Sequence, residues 1–133
     1  MLNSTDRKFL DPATIAAISP EAFKQTEFPA TPTVIHHVFF WLKNAGSEAD
    51  RKELTEGLHR LAAINEVQQL LVGTPAATEV RGVVDGSFDV SELMYFESLA
   101  DQATYQEHAT HKAFVEKYSH LWARVVVYDM VVG

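Results

Sequence analysis

From Thr33 onward the chain switches between two spacings of apolar residues, and each switch marks an element. Thr33-Val34-Ile35-His36-His37-Val38-Phe39-Phe40-Trp41-Leu42 is β-branched and aromatic, which predicts a strand. Ser47 offers a helix cap, after which Leu54, Leu58, Leu61 and Ala62 recur with a helical period. Val67 to Val72 predicts a second strand, ended by Gly73-Thr74-Pro75. A polar stretch with Gly82 and Gly86 leads into a third, Phe88 to Phe96. Ser98 caps a helix near 99–107, and a break near His108-Ala109-Thr110 separates it from a further helix. Phe114, Val115, Tyr118, Leu121 and Trp122 form the expected apolar stripe of that last helix. Arg124 to Val132 predicts a fourth strand. The order β-α-β-β-α-β implies an α+β, ferredoxin-like fold with an antiparallel sheet.

Strand parity carries the pattern further. In the first strand His36, Val38, Phe40 and Leu42 share one face, and Ile35, His37, Phe39 and Trp41 the other. In the last, Val125, Val127 and Val131 oppose Val126, Tyr128, Met130 and Val132. Both rows are largely apolar, whereas the chain's own helices cover one face. The second face is therefore expected to meet a second copy, giving a homodimer packed through its sheets as a dimeric α/β barrel.

Residues 1–32 read as a separate arm, because four of the five prolines (Pro12, Pro20, Pro29, Pro32) fall there. Short helices are expected near 12–18 and 20–25, and the arm is either a lid or dimer strap or a variable extension. The domain proper is 33–133. A chain of 133 residues with 47% hydrophobic and 22% charged residues suits one globular domain. The absence of cysteine excludes disulfides, thiolate metal sites and Cys nucleophiles. Eighteen acidic against eleven basic residues give a net charge of −7, so neither nucleic acid nor membrane is an expected partner. No apolar run approaches the roughly 20 residues of a membrane span. The first residues lack the layout of a secretion signal, so a cytoplasmic protein is expected. Gly82-Val83-Val84-Asp85-Gly86 lacks the lysine of a phosphate loop, and no Gly-x-Ser-x-Gly elbow occurs. The long segment 74–87 either covers a pocket mouth or is slack surface.

Candidate chemistry centres on a few side chains. His36, beside Val38 and Phe40, sits in apolar company that disfavours the imidazolium, so it could act as a base near neutral pH. His111 opens a helix, whose dipole disfavours charge there as well. Tyr105 lies across the helix break and can converge on the same place as an oxyanion donor. The competing reading makes His108 and His111 fixtures of the break and Tyr105 core. Glu92 shares a face with Val90 and Met94, and a buried carboxyl there must pair or stay protonated. A bulge near Asp89 would instead turn Glu92 to solvent and bring Asp89 inward. His108-x-x-His111 allows two metal ligands on one helical face, with Glu92 or His36 as a third, and an axial His could hold haem. Neither signal is specific, and no metal or cofactor is expected.

Two segments, His36-His37-Val38-Phe39-Phe40-Trp41-Leu42-Lys43 and Tyr105-Gln106-Glu107-His108-Ala109-Thr110-His111-Lys112-Ala113-Phe114, resemble the stress-responsive dimeric α/β-barrel (Dabb) family. The likeness spans roughly 33–132 and includes Tyr-x-x-His-x-x-His-x-x-Phe. It implies a dimer with a small-molecule cavity. In the plant branch that includes olivetolic acid cyclase, the motif's Tyr and second His catalyse a cofactor-free aldol closure. By motif these fall on Tyr105 and His111, with His36 lining the cavity and His108 matching the first His. Glu92 departs from that branch, which is apolar there. The expected function is a cofactor-free acid/base enzyme, a cyclase, lyase or isomerase acting on an aromatic or polyketide-like small molecule. Its catalytic candidates are His111, Tyr105, His36 and Glu92. Val38, Phe40, Leu54, Leu58, Met94, His108, Phe114 and Trp122 are the candidate substrate contacts. The rivals are a non-catalytic stress or ligand-binding dimer and a cofactor-independent monooxygenase.

Overall fold

A computed structural model describes residues 33–133. The proline-bearing arm, with its two expected short helices, lies outside the described residues. The order is β1 (Val34–Leu42), α1 (Glu48–Arg60), β2 (Gln69–Gly73), β3 (Val90–Phe96), α2 (Leu99–Glu107), α3 (Ala109–Tyr118) and β4 (Trp122–Val131). Single 3-10 turns at Leu61–Ala63 and Ser119–Leu121 finish α1 and α3. The sheet runs β2-β3-β1-β4 with every neighbouring pair antiparallel, the ferredoxin-like α+β arrangement.

Local chemistry sets the helix ends. Ser47 Oγ accepts from the Asp50 N–H at 3.2 Å, and Ser98 Oγ from the Asp101 N–H at 3.0 Å. Each satisfies a donor that the first turn leaves free. His108 has extended backbone between α2 and α3, and its Nδ1 accepts from the Thr110 N–H at 3.0 Å. The break in the helical run is thus made by a histidine acting as a cap.

On β1 the residues Val34, His36, Val38, Phe40 and Leu42 are buried, and the alternate row is only half-buried. β3 repeats this with Val90, Glu92, Met94 and Phe96 inward. The helices cover that inward face. Their Leu54, Leu58, Tyr105, Phe114 and Tyr118 complete the core. Gly57 of α1 lies flat against the Tyr118 ring, which any side chain at 57 would overlap. A helix-interior glycine costs about 1 kcal/mol relative to alanine, and here it permits close approach of α1 and α3.

Some expected boundaries move. β2 begins at Gln69, because the Val67 N–H closes a turn onto the Ile64 carbonyl at 3.1 Å. β3 begins at Val90 rather than Phe88. Trp122 belongs to β4, not to the helical stripe: a register shift between Trp41 and Leu42 pairs Leu42 with Trp122. Val115 leaves the stripe as well, at 37% exposure, because it is one helical step away from the buried pair Phe114 and Tyr118. Ala62 falls in the 3-10 turn and is exposed.

Candidate active site

His36 occupies the middle of β1 on the covered face and is nearly all buried. Asp129 sits directly opposite it on β4, and Met94 opposite it on β3. The distance from His36 Nδ1 to Asp129 Oδ1 is 2.6 Å. Two lone pairs do not approach so closely, so Nδ1 bears a hydrogen and donates to the carboxylate. Gln102 of α2 donates to the same oxygen at 3.0 Å and passes 3.2 Å from Nδ1. Asp129 and Gln102 therefore fix the ring, leaving Nε2 as the nitrogen that can exchange a proton. Nε2 lies 3.9 Å from Glu92 Oε1.

Glu92 stands opposite Val38 on β1 and Val72 on β2, with 3% of its surface exposed. The ladder between β1 and β3 is unbroken from Val34–Phe96 to Phe40–Val90, so the bulge weighed above is absent and Glu92 faces inward. Its Oε2 has no hydrogen-bond partner. Desolvation raises its pKa from 4.5 to about 8, so at neutral pH it is a buried, protonated acid. Asp89 is buried too, just before β3, but differently. Its carboxylate accepts from the Leu42 and Gly46 N–H groups at 2.9 Å each and from Arg51 Nη2 at 3.4 Å. Burial works against its charge, but these donors outweigh it and hold the carboxyl below the ordinary aspartate range.

Tyr105 projects from α2 with 1% exposure. Its ring centroid is 4.7 Å from that of His111, 6.0 Å from His36 and 5.2 Å from Phe96. Burial, and secondarily the Glu92 carboxyl, push its phenol pKa upward, which keeps the hydroxyl a donor. His111, half-buried on α3, has its pKa lowered chiefly by burial and also by His36, against opposing contributions from Gln106 and Glu107. Its neutral form is thereby favoured. The four catalytic candidates thus fall in one cluster. Among the substrate candidates, Val38, Phe40, Leu54, Leu58, Met94 and Phe114 are buried core, and Trp122 packs on Phe40 and Phe114. His108 has its Nδ1 engaged as the α3 cap.

Asp129 and Gln102 escaped the sequence reading. The signal for Asp129 was present: it interrupts the row Val125, Val127, Val131 on the same face and falls at the position opposite His36. Gln102 precedes Tyr105 by three residues and so shares its side of α2.

A cleft of about 140 Å³ opens between α1 and α3, and none of His36, Glu92, Tyr105 or His111 lines it. The acid/base cluster and this open space are separate features. The convergence of buried titratable groups, not the cleft, marks the candidate active site. Among the described residues no three His, Asp or Glu side chains are grouped to hold a metal ion. No helix among them is long and apolar enough to cross a membrane.

An antiparallel β2-β3-β1-β4 sheet with helices over a His-Asp-Glu-Tyr cluster defines a ferredoxin-like α+β domain. The chain belongs to the stress-responsive A/B barrel domain (Dabb) family, whose profile matches residues 34–132. Solved structures share the fold. A Dabb family protein from Mesorhizobium loti, 22% identical, aligns with TM-score 0.63 over 77% of this chain and 99% of its own. A dimeric ferredoxin-like protein of unknown function from Thermobifida fusca, 17% identical, aligns with TM-score 0.62 over 82% of this chain and 99% of its own. A hydroxynitrile lyase from Passiflora edulis, 21% identical, aligns with TM-score 0.64 over 77% and 96% respectively. No curated protein sequence shows significant similarity to the chain.

Proposed function

We propose that this protein is a cofactor-free acid/base enzyme, a cyclase, lyase or isomerase, acting on an aromatic or polyketide-like small molecule in the cytoplasm. One observation carries the reading: Asp129 clamps Nδ1 of His36 at 2.6 Å while Nε2 faces the buried acid Glu92 at 3.9 Å. A carboxylate that orients an imidazole toward a second proton carrier is a common way to move protons without a metal. His111, favoured as neutral imidazole, takes the proton from a carbon acid or hydroxyl. Tyr105 donates to the oxygen on which charge develops. His36 and Glu92 return or accept the second proton, and Asp129 and Gln102 hold His36 in register. The plant cyclase branch offers aldol closure as one such reaction. The Passiflora edulis enzyme has lyase activity on the same fold, which fits the lyase alternative.

The working unit in this reading is a homodimer. Ile35, His37, Phe39, Trp41, Leu93 and Tyr128 share the sheet face turned away from the helices. Tyr128 and Met130 there are more than half exposed. A second copy covers such a face, as expected from the dimeric relative in Thermobifida fusca. Phe39→Asp is expected to give a monomer in analytical ultracentrifugation, and an unchanged dimer would contradict the assignment of this face.

The test of chemistry is proton exchange at carbon. Wild type incubated in deuterated buffer with a panel of β-dicarbonyl and acylphenol compounds should exchange an activated C–H for at least one of them. His111→Ala and Tyr105→Phe should each lower that rate by at least about tenfold while preserving the fold. No exchange across the panel, or rates untouched by both variants, would favour the non-catalytic dimer. The near-complete burial of Tyr105 and Glu92 is the observation on that side.

A further inference from the structure

We propose that the cleft between α1 and α3 is a second small-molecule site, separate from the acid/base cluster, that takes a single-ring organic carboxylate. Its walls are Gly57 and Leu61 on one side and Ala113 and Phe114 on the other, with Arg60 and Lys117 at its rim. The space, about 140 Å³, is close to the roughly 150 Å³ apolar cavity known to admit benzene. Phe114 and Tyr118, with ring centroids 5.2 Å apart, offer aromatic surface to a ring.

The charge of the occupant follows from the rim. Arg60 Nη1 donates to the Tyr118 hydroxyl at 3.3 Å, a neutral acceptor that does not offset the guanidinium charge. Lys117 Nζ lies 5.4 Å from the centroid of the same tyrosine ring. The ion pairs of the described residues involve His36, Arg51 and Lys112, and neither Arg60 nor Lys117 is among them. Glu56 and Glu116, on the same two helices, form no bridge to either. Two cations thus converge on one tyrosine, in a chain with net charge −7, and no carboxylate of the described residues pairs with either. Like charges so placed repel, and a carboxylate at the mouth would relieve both, its ring entering the apolar space below. Gly57 gives the site its shape, since a side chain there would displace the Tyr118 wall.

The test is a two-dimensional amide NMR titration of the full chain with benzoate, its neutral analogue benzamide, and phenyl phosphate. Benzoate should shift the signals of Gly57, Arg60, Ala113 and Lys117 saturably, with benzamide at least about tenfold weaker. Lys117→Glu and Arg60→Glu, both surface changes that leave the core intact, should each weaken benzoate by at least about tenfold. Equal binding of benzoate and benzamide would overturn the proposal. So would shifts confined to the neighbourhood of His36 and Tyr105, or no saturable shift at all. Stronger binding of phenyl phosphate than of benzoate would overturn the carboxylate assignment. None of these outcomes depends on whether the acid/base cluster catalyses a reaction.

Discussion

Asp89 and Glu92 are buried carboxyl groups three residues apart at the start of β3, and they are treated in opposite ways. Asp89 joins elements: two backbone N–H groups from the end of β1 and the following loop, together with Arg51 of α1, converge on it. Its charge is stabilised, and its burial is that of a structural group. Glu92 Oε2 has no hydrogen bond, no Lys or Arg pairs with the carboxyl among the described residues, and His36 Nε2 lies 3.9 Å from its Oε1. Its burial is costly to the charged form and leaves it protonated near neutrality. The fold can satisfy a buried acid, as Asp89 shows, and the acid left without a hydrogen bond at Oε2 is Glu92, the one to which the proposed function gives a proton.

The sharpest break of this contrast is Asp89→Ala. Removing the acceptor leaves buried donors and Arg51 without their partner, and urea unfolding at pH 7 should show a loss of about 3 kcal/mol. Glu92→Val should do the reverse. Replacing a buried acid whose Oε2 has no hydrogen bond by an apolar group of the β3 core should raise stability by about 2 kcal/mol at pH 8, at the expense of any activity.

The two acids also impose opposite pH dependence. Glu92 has a folded pKa of about 8 against 4.5 unfolded. Between those values the folded chain keeps a proton that the unfolded chain releases, so stability falls as pH rises through the window and levels off above it. The slope approaches about 1.4 kcal/mol per pH unit and should vanish in Glu92→Gln. Asp89 is lowered below the ordinary 3.8, so its contribution is present above that value and is lost as pH falls through the folded pKa. Unfolding curves measured from pH 3 to pH 9, for wild type and each variant, separate the two signs. The smallest stability change belongs to Asp129→Asn. Its side chain is 46% exposed, so stability should stay within about 1 kcal/mol. Turnover should nevertheless drop about tenfold or more, because the Nδ1–H loses its charged acceptor and the ring its fixed tautomer.

Much of this layout was legible in the sequence, for reasons that differ by element. β1 and β3 read correctly because one face is buried and the alternation is strict, so parity placed His36 and Glu92 inward. α1 and α2 read correctly because Ser47 and Ser98 cap them. The start of β4 did not, since Trp122 continues the apolar run of α3 and only a register shift against β1 assigns it to the sheet. Asp129 was hidden by its setting in a valine-rich edge strand, where one polar position looks like surface. Asp89 and Glu92 were weighed as alternatives, because parity alone cannot show that a residue just before a strand is buried by the β1–α1 loop folding over it.

The most direct test of the central claim is a carboxyl 13C NMR titration of Glu92, assigned by comparison with Glu92→Gln. A carboxyl midpoint near pH 8 that disappears in Glu92→Gln is the expected result. A midpoint near the ordinary 4.5 would mean that Glu92 is hydrated or paired. In that case the buried acid beside His36, and the proton-handling role built on it, would be wrong.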